Sequence, residues 1–253
     1  MYSKRFYNNN IKTNKTSAER IVSFVESIYK PRSVVDIGSS GGVFLSEFMK
    51  FGVEDVLGID GEWIPDENIV IPNNKFIRTD LSKPLILERK FDLAICLEVL
   101  EHLDEESGEL ILKELTRLSD VVLFSAAIPG QGGTHHINEQ WPSFWARKFN
   151  DFGFKFIDIR PYLWNDNEIL PWYRQNMVIY LNATLYHNFL NNIKDVNLES
   201  PLSFIHPDMT YVSLLNVKSS SFFSVPLFHL GTALTRILRT YTIFKQLQKS
   251  RVK

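Results

Sequence analysis

The sequence has one cysteine in 253 residues. Cys96 sits inside the apolar run FDLAICL, so disulfides are excluded as the glue of the fold, as fits a reducing compartment. No charge sign prevails either. The 28 basic and 29 acidic residues nearly cancel, and such a balance gives no global attraction to nucleic acid. The N-terminal MYSKRFYNNNIKTNKT lacks the apolar segment of a signal peptide. The long charge-free stretch SSSFFSVPLFHLGTALT carries Pro226, His229 and several hydroxyls, and it falls short of a membrane span. A cytoplasmic protein is expected. There is no internal repeat, no low-complexity segment, no G-x-G-x-x-G and no G-x-x-x-x-G-K-[ST], which excludes the common dinucleotide and triphosphate loops.

What is present is a core. Hydrophobic residues make up 44% of the chain, enough for a sizeable folded domain and too many for a disordered one. Ile21, Val22, Phe24, Val25 and Ile28 fall at helical spacing over residues 17–30, with Thr16-x-x-Glu19 as a capping box. SVVDIG, VLGID, KFIRTDL, FDLAICL and VVLFSAAIP read as buried strands. FLSEFMKFG, DEESGELILKELTRLS and WPSFWARKFNDFG read as helices, the last with Pro142 near its start and Gly153 past its end. FKFIDIRPYLW and NMVIYLNATLY read as two final strands with no helix between them, hence an antiparallel edge hairpin. Alternating strands and helices predict an α/β fold, doubly wound around a mostly parallel sheet. The expected organisation is a polar N-terminal arm over 1–16, the α/β domain over 17–185 and a helical C-terminal extension over 186–253.

That extension has its own character. After Asp208 there are no acids, whereas Lys218, Arg236, Arg239, Lys245, Lys249, Arg251 and Lys253 are all basic. TALTRILRTYTIFKQLQK places Leu234, Ile237, Leu238, Tyr241 and Phe244 on one helical face. Such a basic amphipathic helix either lies peripherally on a membrane or partner or packs on its own domain with a solvated basic face.

The chemistry gathers at strand ends. VVDIGSSGG puts Asp36, Gly38, Gly41 and Gly42 where a first strand turns into a helix, the carboxyl edge at which open α/β sheets bind ligands. By itself this is equally a structural turn. Asp60 ends the second strand, where a carboxylate can accept both hydroxyls of a ribose. Asp80 follows the third strand, within reach of an adenine amino group. Glu98-Val99-Leu100-Glu101-His102 follows the fourth, with Glu101 and His102 also placed to cap the next helix.

On these residues the chain resembles the class I S-adenosylmethionine-dependent methyltransferases, with a Rossmann-like seven-stranded sheet. VVDIGSSGG resembles their first motif, although Ser40 stands where the family has its middle glycine. VLGID, RTDL and FDLAICLEVLEHL resemble the second, third and fourth. The resemblance implies Asp36, Gly38, Ser39, Ser40 and Gly42 beneath the methionine part of the cofactor. It implies Asp60 and Gly61 on the ribose, Asp80 and Leu81 near the adenine, and Glu98 at the cofactor.

Methyl transfer from a sulfonium is an in-line displacement, so the protein must aim the acceptor and remove a hydroxyl proton. The glycine-rich SAAIPGQGGTHHINEQWP follows the fifth strand and brings His135 and His136 to the rim, and an imidazole is a natural base at neutral pH. QGGTHHINEQWP with the later WYRQN and His206-Pro207 resembles a subgroup near glycosyltransferases in surface-glycan pathways. His136 matches its single histidine, and His135 replaces a glycine. His136 is therefore the expected general base, with Glu139 or Asn138 orienting it or binding substrate. His135, Gln140, Trp164, Trp172, Tyr173 and Arg174 are the expected substrate contacts, the aromatic rings suiting the face of a sugar. A His-His pair without a second cluster is a poor metal signature, so no metal is expected. The reading is an O-methyltransferase for a sugar or glycan hydroxyl. The rivals are a methyltransferase for a lipid-soluble quinone precursor and a non-catalytic cofactor-binding module. Neither the oligomeric state nor the acceptor sugar follows from the sequence.

Overall fold

The structure, a computed structural model, describes the backbone of residues 4–190 and 204–209 and the side chains of residues 14–186 and 204–209. The chain divides into two units, Met1–Ser213 and Leu214–Lys253, and every described residue belongs to the first. The basic amphipathic helix expected in the extension lies outside the described residues.

Seven strands form one sheet: β1 Ser33–Ile37, β2 Asp55–Asp60, β3 Phe76–Arg78, β4 Leu93–Leu97, β5 Val121–Ser125, β6 Phe154–Ile157 and β7 Val178–Asn182. Their order is β3-β2-β1-β4-β5-β7-β6. The chain winds outward from β1 to β3, then returns across β1 to build the other half. β1 is parallel to both β2 and β4, and β5 is parallel to β4. β7 inserts between β5 and β6 and runs antiparallel to both. The expected α/β fold with an antiparallel edge pair is present.

Successive side chains of a strand point to opposite faces, and the apolar residues divide accordingly. On β4 and β5, Leu93, Ile95, Val121 and Leu123 face one core with α1 (Lys4–Ile28) and α2 (Val43–Lys50). Ala94, Cys96, Val122 and Phe124 face the other with α3 (Glu105–Leu118) and α4 (Pro142–Asp151). Both faces are covered, which is why these strands read as continuous apolar runs rather than alternating ones. Cys96 is buried within the second core.

The structure departs from the sequence expectations at the ends of the domain. α1 begins at Lys4, so residues expected as a polar arm continue the helix and the Thr16–Glu19 capping box starts nothing. β6 and β7 are separated by two short helices, α5 Arg160–Leu163 and α6 Pro171–Asn176, and β7 gives way to α7 at Ala183. Pro161 and Pro171 lie in the first turn of these helices, where the missing N–H of proline costs nothing. Neither Glu101 nor His102 caps α3. Asp104 does, accepting from Ser107 N at 2.8 Å, and these bonds hold its carboxyl below its usual pKa.

A buried ion pair fixes the turn after β6. Arg160 is fully buried, and its guanidinium grips Asp158 through Nε at 2.8 Å and Nη2 at 2.6 Å. Phe204 lies against it, with the guanidinium carbon 4.3 Å from the ring centre. Removing one partner of a buried pair leaves an uncompensated charge, at a cost of about 3–5 kcal/mol. Asp158→Ala is expected to lower stability by that amount, read as an earlier midpoint in urea unfolding followed by circular dichroism.

Candidate active site

The strands β1, β2, β4 and β5 end at one edge of the sheet, and a cavity of about 230 Å³ opens there. Asp36, Gly38, Ser39 and Ser40 form its floor, Glu98 and His102 one side, and Asn14, Trp172 and Tyr173 the other. The floor depends on close backbone approach. Gly38 has φ +79, and a Cβ there would lie 2.3 Å from Val99 Cγ2, a clash no ordinary side chain survives. Ser40 adopts φ +51, the left-handed conformation that favours the glycine it replaces.

Acids surround this floor. Asp36 is buried, and desolvation, reinforced by the charge of Asp60, raises its pKa well above the carboxylate range. Asp60 accepts from Ser40 N at 2.7 Å and from Gly61 N at 2.6 Å. Burial pushes its pKa up to about 6, although those two hydrogen bonds pull it down. Leu81 is buried in the core. Asp80 does not enter the cavity: its exposed carboxylate binds Ser82 N and Oγ within its own turn, which lowers its pKa.

Glu98 joins three segments. It stands at φ +54 after β4. Its carboxylate accepts from Gln131 Nε2 at 2.8 Å and Asn176 Nδ2 at 3.0 Å, and the Asn176 amide also donates to Gln131 Oε1 at 2.9 Å. The QGG loop and the end of WYRQN thus meet on one carboxylate. Sequence reasoning missed Gln131 and Asn176, and the only signal was their membership of two recurrent motifs.

The histidine loop is stapled to the turn after β4. Ile137 N and Asn138 N both donate to Glu101 O, at 2.8 and 3.1 Å. Asn138 is buried, and its side chain lies 3.4 Å from Leu100 O. It therefore anchors the loop rather than orienting His136, and Gln140 Nε2 donates to it at 3.1 Å. Glu139 is the orienting group. Its Oε1 lies 2.9 Å from His136 Nδ1, and the carboxylate also accepts from Gly130 N and Gly132 N at 2.7 and 2.8 Å. A Cβ on Gly133 would lie 2.2 Å from His136 Nε2, so the third glycine makes room for the ring. His135 occupies φ +62, a left-handed position.

His136 does not line the cavity itself; His102 does. The two rings meet edge to face with centroids 4.7 Å apart. Burial, helped by His136, lowers the pKa of His102. Beneath them Glu101 is fully buried, and neither carboxylate oxygen receives a hydrogen bond of ordinary geometry. Desolvation and the Glu98 charge raise its pKa well above the usual range.

Two expected substrate contacts belong elsewhere. Arg174 is 4% exposed and donates to Asp208 at 2.6 Å. Trp164 packs against Phe204 and His206, and its carbonyl lies 2.9 Å from His206 Nε2. Both hold residues 204–209 onto the domain, which gives His206-Pro207 the physical role the sequence lacked. Trp172 and Tyr173 do reach the cavity, where Tyr173 Oη lies 3.5 Å from Asn14 Oδ1.

A cationic sulfonium carrying an α-ammonium group fits this lining. Glu98 supplies negative charge, the backbone at Gly38 leaves room, and buried Ser39 Oγ has no partner of its own. A methyltransferase domain profile matches residues 11–158, more than half of the chain. The methyltransferase domain of bacterial CtHen1-C aligns over 67% of this chain and 98% of its own, at 20% identity and a TM-score of 0.50. An O-methyltransferase family protein from Burkholderia thailandensis aligns over 70% of this chain and 58% of its own, at 13% identity and a TM-score of 0.52. At such identities the likeness is one of fold. No curated protein sequence matches the chain. With the profile, the sheet order and the acid-lined rim in agreement, the chain belongs to the methyltransferase domain family, and S-adenosylmethionine is its methyl donor.

Proposed function

We propose that the protein is an O-methyltransferase acting on a hydroxyl of a sugar or glycan intermediate, with His136 as general base. The observation that carries this reading is the Glu139–His136 pair, whose imidazole meets the ring of the cavity-lining His102. When bound, S-adenosylmethionine supplies an electrophilic methyl group on a positively charged sulfur. Glu98 favours that charge, while in this reading Asp60, held by the Ser40 and Gly61 amides, accepts from the ribose hydroxyls. Glu139 fixes the imidazole through Nδ1, leaving Nε2 to accept the acceptor's proton as the oxygen turns nucleophilic. Trp172, half-buried at the rim, offers an apolar face to a sugar ring beside the polar groups of Asn14 and Glu98. Gln140 and His135 lie on the same loop and complete the acceptor side in this reading.

His136→Ala is expected to lower turnover by at least about 10²-fold, the usual loss on removing a general base, with donor affinity little changed. Steady-state rates on a panel of nucleotide sugars and glycosides, with calorimetry for the donor, check both parts. Near-full activity in the variant overturns the base assignment.

The Asp60 assignment carries a pH dependence. Ribose hydroxyls donate to the ionised carboxylate, so binding favours the deprotonated form. In the free protein that form predominates only above pH about 6. Affinity for S-adenosylhomocysteine is therefore expected to rise about tenfold from pH 5 to pH 7 and then level off. Asp60→Asn should flatten the rise to whatever Asp36 contributes. Isothermal calorimetry across that range decides it, and an unchanged profile in the variant removes Asp60 from the ribose.

A further inference from the structure

Glu101, His102 and His136 each offer one ligand atom, and all three atoms lie within 4.8 Å of one another. We propose that these three residues bind a divalent transition-metal cation beside the cofactor cavity, which His102 lines. The second cluster that a His-His pair requires is supplied by the turn after β4, which the Glu101 carbonyl staples to the histidine loop.

The most pointed observation is Glu101. Its side chain is fully buried, the contacts it has with the Ala127 backbone and the Glu98 side chain fall short of ordinary hydrogen-bond geometry, and one of its oxygens lies with the two imidazole nitrogens. A buried acid so weakly satisfied is unfavourable, and a cation gives the oxygen beside the imidazoles a partner. His136 is prepared as a ligand in the usual way. Its Nδ1 is held by Glu139, whose carboxylate is fixed in turn by two backbone N–H groups. Outer-shell carboxylates of this kind set the tautomer and ring orientation of metal-bound histidines. Two imidazoles and one carboxylate select a borderline first-row cation rather than magnesium or calcium, which prefer all-oxygen sites. Such a cation holds its donors at about 2.0–2.2 Å. The partly exposed rings of His102 and His136 can close on it while Glu101 stays in place.

The proposal rests on the reading that the acceptor oxygen arrives beside His136, and it deepens that reading. With Nε2 on the cation, His136 acts as a ligand, and a hydroxyl bound at an open coordination position is acidified directly. The O–H proton leaves to solvent, the oxygen–methyl bond forms as the sulfur–methyl bond breaks, and the sulfur departs neutral as a thioether. Direct proton transfer to His136 then describes only the cation-free enzyme.

Cobalt(II) titration of the purified, chelator-treated full chain tests this without reference to turnover. Ligation by nitrogen donors is expected to bring up visible d–d bands at one equivalent, and Glu101→Gln and His102→Gln should each weaken binding at least tenfold. Thermal melts followed by circular dichroism establish that the variants are folded. In the activity assay, the chelated enzyme is expected to lose at least tenfold in rate and to recover with manganese(II) or cobalt(II). Glu101→Gln should be slow and should not recover. Absence of the bands, or Glu101→Gln matching the parent in rate and affinity, overturns the cation and leaves His136 as the direct base. Absence of heat with the methyl donor instead counts against the proposed function, and the cobalt measurement stands apart from it.

Discussion

The carboxylate of Glu98 is the point on which this molecule turns. It holds a left-handed backbone conformation, which costs a non-glycine residue about 1–3 kcal/mol and persists only where the surroundings over-determine it. Here they do. Gln131 arrives from the loop after β5, Asn176 from the end of α6, and the Glu98 amide donates to Ser125 O at 3.0 Å. The return for that strain is geometric. The turn carries Glu98 into the cavity wall and sends Glu101 and His102 back beneath the histidine loop. Any change that loosens Glu98 therefore loosens both the cofactor wall and the platform for His136.

The same economy explains the run Arg174-Gln175-Asn176. Three consecutive buried polar residues would be costly in a core unless each were satisfied. Arg174 and Gln175 hold the outer segment, Arg174 by pairing with Asp208 and Gln175 by bonding Phe204 O and His206 N, whereas Asn176 reaches Glu98. A short helix begun at Pro171 can aim successive side chains at both places. The α6 helix is thus a hub between the outer segment 204–209 and the cavity, and α1 closes the adjacent wall through Asn14 and the Ser17–Leu170 contact.

How far the sequence could be read depended on whether a feature was local. The strand–helix alternation was legible because each element carries its own periodicity, and burial on both faces leaves a plain mark in runs such as LAICL. The strand-end acids were legible for the same reason, since each is placed by the strand immediately before it. What failed was non-local. Arg174 and Trp164 looked like substrate contacts because nothing near them in sequence announced Asp208 or His206, more than thirty residues later. The boundary of α1 failed for a different reason: the capping box at Thr16 is a real local preference, outweighed by a helix that already runs through it. The cluster of His102 with His136 joins two loops on different strands, and no spacing rule could have shown it.

The departures from glycine at Ser40 and His135 bear on how this rim is built. Each stands where the families it resembles carry glycine, and each keeps the left-handed backbone that glycine adopts freely. With Glu98, that makes three strained positions, two framing the cofactor cavity and one framing the histidine loop. Left-handed strain of about 1–2 kcal/mol per residue is a substantial fraction of a typical domain's net stability. Local strain of this kind tends to sit where geometry matters more than stability. At Ser40 the return is visible, because its backbone N–H points at Asp60 and so presets the carboxylate. At His135 the left-handed turn delivers the following residue, His136, to Glu139 on one side and His102 on the other. The strain is therefore spent on aiming, which is what an in-line transfer requires of a protein whose cofactor already carries the reactive group.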